Sequence, residues 1–448
     1  MALNQILVRG TVVGALGGLL FGFDTAVISG TTAQLRQVFA LTDATLGVTV
    51  SIALAGTVVG AATSGVLGQR MGGRGALRIM AVLYLASALG CAFAQDWTAL
   101  LAFRFLGGLG IGGSSVLAPV YIAEMAPANL RGRLVGMFQI NIVVGILLAY
   151  ASNYWLATHF ASGADIGAAT WRWQFGVAGL PALLFLALLF TIPQSARWLV
   201  TRNRVEEARG VLFLLGEPDA DAELRDIQAS INFERTTLHE PLFQRKYLLP
   251  IALAITIAAF NQLTGINAVL YYMNDIFAQA GFSRASSDLQ AVMVGAVNLL
   301  FTLVGMAMID RAGRKALLLG GGVGMALTLT GVGAIFFMGA HKALLVWMLM
   351  GFIASFAVSQ GAVVWVYLSE IFPNRVRAKG QSLGSLTHWM MNGIISLTFP
   401  MVRSLGRGSV PFFFFASCMV VMLIVVAAAF PETKGLSLED LQRKLKIA

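Results

Sequence analysis

Apolar residues gather along nearly the whole chain in runs of about 20, the length that crosses a hydrocarbon core of about 30 Å as a helix. Polar residues collect between the runs. Twelve runs are expected to be membrane helices: 9–30, 46–67, 77–95, 98–122, 132–156, 172–192, 248–273, 289–309, 316–339, 343–368, 380–402 and 411–430. The fourth and tenth are rich in Gly and Ser, which flattens their apolar signal. Between the sixth and seventh lies a long polar stretch, with helical character over Val205 to Leu215 and Ala222 to Phe233. The pattern predicts an all-α membrane protein. An N-terminal six-helix bundle spans 1–192, a linker with short surface helices 193–247, a second six-helix bundle 248–430 and a tail 431–448.

Composition agrees with that class. Of 448 residues, 57% are hydrophobic and 12% charged, against roughly 25% charged in a soluble domain. The net charge of +10 could suggest a nucleic-acid partner, but its distribution argues against one. Of 31 Lys and Arg, Arg104 falls inside a run and Arg36, Arg172, Arg284, Lys342, Arg403 and Arg407 fall on loops of one side, leaving 24 on the other side with both termini. Basic loops stay cytoplasmic, so both termini are expected there. The first run is too long for a signal-peptide core, holds Asp24, and has no small-residue cleavage site after it, so it reads as a retained helix. Cys91 and Cys418 lie inside runs and read as packing residues.

The chain is internally duplicated. Gly65 to Arg74 returns as Gly305 to Arg314, Glu124-Met125-Ala126-Pro127 returns as Glu370-Ile371-Phe372-Pro373, and Pro193 to Arg197 returns more weakly as Pro431 to Gly435. Two halves in parallel orientation follow.

Chemistry enters with Asp24, a carboxylic acid in the otherwise uncharged run from Gly10 to Gly30, and Arg104, its expected counterpart at similar depth. An intramembrane charge costs at least about 2.5 kcal/mol and is a functional-site hypothesis by default. If the Asp24–Arg104 contact changes during a transport cycle, the acid binds and releases a proton with it; a static structural ion pair is the alternative. The seventh run carries Asn261, Gln262, Thr264, Asn267 and Tyr271. In an unbroken helix Gln262 and Asn267 point about 140° apart, and unwinding near Gly265 would let them converge. Such amides suit the hydroxyls of a sugar; interhelical hydrogen bonding is their other common use.

On Gly17 to Gly30, Arg104 to Arg133, Pro193 to Leu199, Gln262 to Tyr272, Trp365 to Pro373 and Pro431 to Gly435, the chain resembles the sugar porters of the major facilitator superfamily, which include xylose–proton symporters and glucose facilitators. The resemblance covers essentially the whole length. It implies two six-helix bundles with substrate bound between them near the midplane and alternating access about that place. It assigns Gln139, Asn261, Gln262, Asn267, Tyr271, Asn298 and Trp365 as sugar contacts, places His388 near the sugar, and gives Phe21, Trp389 and Asn392 as lining residues. It makes Arg70, Arg74, Glu124 and Arg131, with Asp310, Arg311, Arg314, Glu370 and Arg377, candidates for a cytoplasmic gate that pairs with helix ends. Topology markers are the other reading of those basic positions. Partners implied are a monosaccharide, a proton and the lipid bilayer, with no cofactor, no metal and no nucleic acid. The expected setting is a bacterial inner membrane, as a monomer.

Departures from the family pattern matter. Gln69 and Gly73 replace an Asp and an Arg, Gln194 and Ala196 alter the segment after the sixth run, Ala362 replaces a Pro, and Ala178 stands where a proton-linked relative has a carboxylate. An uncoupled facilitator therefore stays open, as does a sugar-sensing receptor on the same fold. Four histidines, His159, His239, His341 and His388, lack metal-ligand spacing, and no Walker loop or nucleophile elbow is present, which disfavours an enzyme.

Overall fold

The computed structural model describes residues 4–127, 130–160, 169–237, 240–373, 375–435, 441, 443–445 and 447. His239 lies outside them. Among the described residues there is no β-strand. The first six α-helices are α1 (Gln5–Val27), α2 (Thr32–Val38), α3 (Asp43–Phe93), α4 (Trp97–Met125), α5 (Arg131–Phe160) and α6 (Thr170–Val177). There follow α7 (Gly179–Leu188), α8 (Ala196–Thr201), α9 (Val205–Leu214), α10 (Ala220–Thr237), α11 (Leu248–Leu263), α12 (Ile266–Tyr271) and α13 (Met273–Gln279). The last six are α14 (Arg284–Ala312), α15 (Arg314–Met338), α16 (Ala343–Val358), α17 (Gln360–Glu370), α18 (Arg377–Arg403) and α19 (Val410–Ala429).

Ten helical stretches among the described residues are long and apolar enough to cross a membrane. The helix α3 holds two crossings, because its 51 residues break at Gly72 (φ 75°, ψ 165°), a conformation open to glycine. The remaining crossing is α18, whose 27 residues have the length but whose buried face carries His388, Asn392 and Ser396, lowering its hydropathy. Twelve membrane helices among the described residues result. Side-chain caps start several of them. Asn4 accepts from the Ile6 amide, Asp96 from the Ala99 amide and Ser283 from the Ser286 amide, each satisfying a donor that a helix end leaves over.

The helices assemble into two compact units, one of Met1–Gln34 and Ile52–Thr237, the other of Leu35–Ser51 and Leu238–Ala448. Within the first, α1 lies against α5 with their main chains almost touching. A Cβ on Gly22 would collide with the Ile142 carbonyl oxygen, and one on Gly145 with that of Leu19; small residues permit this approach. Around them pack Tyr121, Ile122, Phe138, Phe185 and Leu189. The polar stretch after α7 folds rather than dangling: α8, α9 and α10 share a small core of Ala196, Leu199, Val200, Ala208, Val211, Leu212 and Leu224.

Candidate functional site

In the first unit Asp24 sits near the end of α1, and Arg104, only 4% exposed, sits two turns into α4. Arg104 is the charged residue whose field reaches the Asp24 carboxyl. The Arg104 guanidinium also lies 5.5 Å from the centre of the Phe175 ring on α6, where the ring's negative face is favourable for a cation. The carboxyl lies beside Gly107, whose missing side chain leaves room for Ser87: a Cβ there would stand 2.5 Å from Ser87 Oγ and in ordinary contact, 3.9 Å, with Asp24 Oδ1. Tyr84, hydrogen-bonded to Ser114 at 2.9 Å, and Cys91 are within reach of the Asp24 charge. Tyr84 and Ser87 on α3 were not expected from the sequence. Each is a single polar position in an apolar run, and their spacing of three, which sets both on one helix face, is the signal that could have found them.

The second unit gathers the amides. α11 ends at Leu263, Gly265 takes a left-handed φ of 79°, and α12 begins at Ile266. The break does what the spacing required: Asn267 Nδ2 donates to Gln262 Oε1 at 2.9 Å. Gln262 Nε2 donates to Asn261 Oδ1 at 2.9 Å and lies 3.2 Å from His388 Nε2 on α18. One turn along α18, Asn392 Nδ2 donates to the Tyr271 hydroxyl at 3.2 Å and Asn392 Oδ1 accepts from Ser396. The His388 ring stands 5.0 Å from both Trp365 and Trp389. Gln262 and Asn392 are 1% and 0% exposed, whereas Trp365 is 40% exposed, so the amides are enclosed and fixed by one another while the Trp365 side chain is partly open. Asn298, buried on α14, makes none of these hydrogen bonds. In the first unit Gln139 is half-buried on α5, and Phe21 on α1 packs on the core.

The charged repeats form a clasp in each unit. In the second unit, Gly313 (φ 90°, ψ 161°) separates α14 from α15. Glu432 caps the new helix, accepting from the backbone N–H of Arg314 (2.9 Å), Lys315 (3.0 Å), Thr433 (3.0 Å) and Lys434 (2.9 Å). Burial pushes the Glu432 carboxyl up, but the four donors outweigh it and hold the group below the usual carboxylate range. Arg314 reaches Glu370 at 2.8 Å and Asp310 at 3.3 Å, and the Thr433 hydroxyl closes on Glu370. Arg377 donates to the Phe372 carbonyl, while Arg311 offers its carbonyl to Lys434 and keeps an exposed side chain.

The first unit builds the matching clasp on a neutral amide in place of the capping acid. Gln194 Oε1 accepts from the Arg74 amide at 3.1 Å and the Ser195 amide at 3.3 Å, and its Nε2 donates to the Met71 carbonyl at 3.0 Å. Arg74 ends on the Ile192 carbonyl and Arg131 on the Ala123 carbonyl. Arg70 contributes a carbonyl to Arg202 and leaves its side chain exposed. Glu124 is half-buried at the penultimate position of α4. A cavity of about 720 Å³ opens beside this clasp, lined by Arg74, Arg78, Gln194, Trp198 and Phe213; it holds none of the expected sugar contacts. Among the described residues no three His, Cys, Asp or Glu side chains are grouped to hold a metal ion.

The family model described as "Sugar (and other) transporter" matches residues 10–445. The D-xylose-proton symporter of Escherichia coli (strain K12) is 36% identical over 465 residues, covering 96% of this chain and 94% of that protein. The glucose transport protein of Synechocystis sp. is 38% identical over 415 residues, 88% of each. The arabinose-proton symporter of Bacillus subtilis (strain 168) is 34% identical, covering 96% of this chain and 92% of that protein. Among solved structures, the inward-open xylose transporter from E. coli superposes with a TM-score of 0.87 at 34% identity, over 98% of this chain and 99% of that one.

Proposed function

The chain belongs to the sugar transporter family of the major facilitator superfamily, and from that membership we propose that it imports an aldose of the xylose or glucose type together with a proton, by alternating access. The Gln262 cluster carries this reading. Four amides and a histidine, held by their own hydrogen bonds on α11, α12 and α18, offer donors and acceptors at fixed positions, and Trp365 beside them offers an aromatic plate for a sugar's apolar face. Asn261, Gln262, Asn267, Tyr271, Trp365 and His388, with Gln139 and Asn298, are the sugar contacts of this reading; Phe21, Trp389 and Asn392 line them. The relatives named for xylose, arabinose and glucose support an aldose.

Asp24 is the proton carrier of this reading and Arg104 its electrostatic partner. When the two separate, the carboxyl is left in an apolar surround and takes a proton; when they meet, the guanidinium favours the carboxylate. Both termini and the two clasps lie on the cytoplasmic side of an inner membrane, as the 24 basic residues of that side suggest, and there the clasp residues gate access. The bundles run over 1–192 and 248–430 with the linker 193–247 between them, and the working unit is a monomer.

One observation favours a second reading, an uncoupled facilitator. The break between α6 and α7 carries Ala178 and no carboxylate. Sugar added to lightly buffered proteoliposomes decides between them: symport raises the external pH, and Asp24→Asn abolishes that rise while sugar exchange continues. Equally fast sugar movement with no pH change in the native protein leaves the facilitator.

A further inference from the structure

Asp288 is a second acid within a membrane span, and the scheme above does not use it. It lies in α14, within the stretch Ser286–Ala312 that is apolar enough to cross a bilayer, and is 1% exposed. Asn274 on α13 donates through Nδ2 to Asp288 Oδ1. The other two acceptors of this pair, Asp288 Oδ2 and Asn274 Oδ1, are both buried and have no hydrogen-bond partner among the described residues. Buried polar atoms are rarely left so. Two side chains facing each other with one donor group between three acceptors are one donor short, and a carboxylic acid supplies it. With a proton on Oδ2, Asp288 donates to Asn274 Oδ1 while Nδ2 continues to donate to Oδ1, closing a ring of two hydrogen bonds that satisfies all four atoms. Without it, a carboxylate sits in a membrane span on a single neutral donor.

The charges around the pair leave it this role. Arg284, one turn earlier on α14, is the charged residue whose field reaches Asp288. On α13 the neighbouring acid Asp275 is already held by Arg403 of α18 at 3.3 Å. The location links the pair to the amide cluster. α13 follows α12 after a break at Tyr272 (φ −112°, ψ 22°), and α12 carries Asn267 and Tyr271. Whatever fastens α13 to α14 therefore constrains the short piece that presents those two side chains.

We propose that Asp288 is a second proton-binding site of this transporter, distinct from Asp24, and that its protonation closes a carboxyl–amide ring that fastens α13 to α14. The proposal rests on the chain being a sugar transporter and not on the role given to Asp24. Infrared difference spectra of the purified protein in lipid, taken between about pH 5 and about pH 8, test it directly. A protonated-carboxyl band is expected that persists in Asp24→Asn, shifts in Asn274→Ala and disappears in Asp288→Asn. In proteoliposomes at equal pH on both sides, exchange of labelled D-xylose by Asp24→Asn is expected to vary several-fold over that range, and the added Asp288→Asn to flatten it. A spectrum with no Asp288-dependent band overturns the proposal, as does an Asp24→Asn exchange rate already flat in pH. A sodium dependence at fixed pH that vanishes with Asp288 also overturns it, since the acceptors then hold a metal cation. Absence of D-xylose exchange in the native protein bears on the substrate alone, and the infrared band still decides the role of Asp288.

Discussion

The two clasps at Gly72 and Gly313 solve one problem with different chemistry. Each half must break its long helical path at a single glycine and satisfy the donors that the new helix start exposes. The second half uses an acid. Glu432 accepts four backbone N–H groups, and Arg314 ties the turn to two more carboxylates. In the first half an amide serves, with Gln194 accepting two N–H groups and returning a donor to the Met71 carbonyl. That last bond is out of reach of a carboxylate, which has no donor when ionised. Gln194 is thus not a weakened glutamate but a different wiring of the same turn. The lesson is that a duplicated chain can keep geometry while one copy exchanges an ionised cap for a neutral one.

Several changes break or sharpen the contrast, read most directly as hydrogen-exchange protection at the two turns. Glu432→Ala is expected to have the largest effect, loosening the Arg314 and Lys315 amides by about 3 kcal/mol, since bonds to charged acceptors are the stronger kind. Gln194→Ala should loosen the Arg74 amide by only about 1 kcal/mol; equal losses would erase the distinction. Next, Arg314→Leu strands Glu370 and Asp310. Because Asp310 is 83% and Glu370 27% exposed, solvent screening limits the cost to about 2 kcal/mol. Arg74→Leu, which gives up a bond to the Ile192 carbonyl, should cost about half as much, and a larger loss would reverse the ranking. Glu432→Gln, which rewires the second turn toward the first, should cost about 1 kcal/mol and remove its response to salt.

Acid is the gentlest probe. The folded Glu432 carboxyl lies below the usual carboxylate range, so its contribution is fully present above the unfolded value of about 4.3 and is lost as pH falls through the lower folded value. Protection at Arg314 and Lys315 should therefore fall at acid pH, while protection at Arg74 stays level. A parallel fall at both turns would mean that something other than Glu432 titrates.

Much of this was legible in the residue pattern, because burial in a membrane forces long apolar runs and because Gly265 left one plausible place for the helix to open. The convergence of Gln262 and Asn267 followed from that glycine. Other features were not readable for definite reasons. Hydropathy expected a gap between 67 and 77, whereas α3 breaks only at Gly72: polar residues on an exposed helical turn look the same as a loop. Asp288 lies one residue outside the expected run 289–309, so the hydropathy pattern does not mark it, whereas α14 begins earlier, at Arg284. Its pairing with Asn274, like the approach of Tyr84 and Ser87 to Asp24, depends on how neighbouring helices are rotated, which one-dimensional spacing leaves free.

The glycine seam between α1 and α5 carries a mechanical consequence. Side chains normally act as cushions between helices, absorbing small shifts by changing rotamer; where Gly22 and Gly145 bring main chain against main chain, there is no such padding. The carboxyl of Asp24 and the amide of Gln139 thus ride on a single stiff girder, and a nudge delivered to either one arrives undamped at the other.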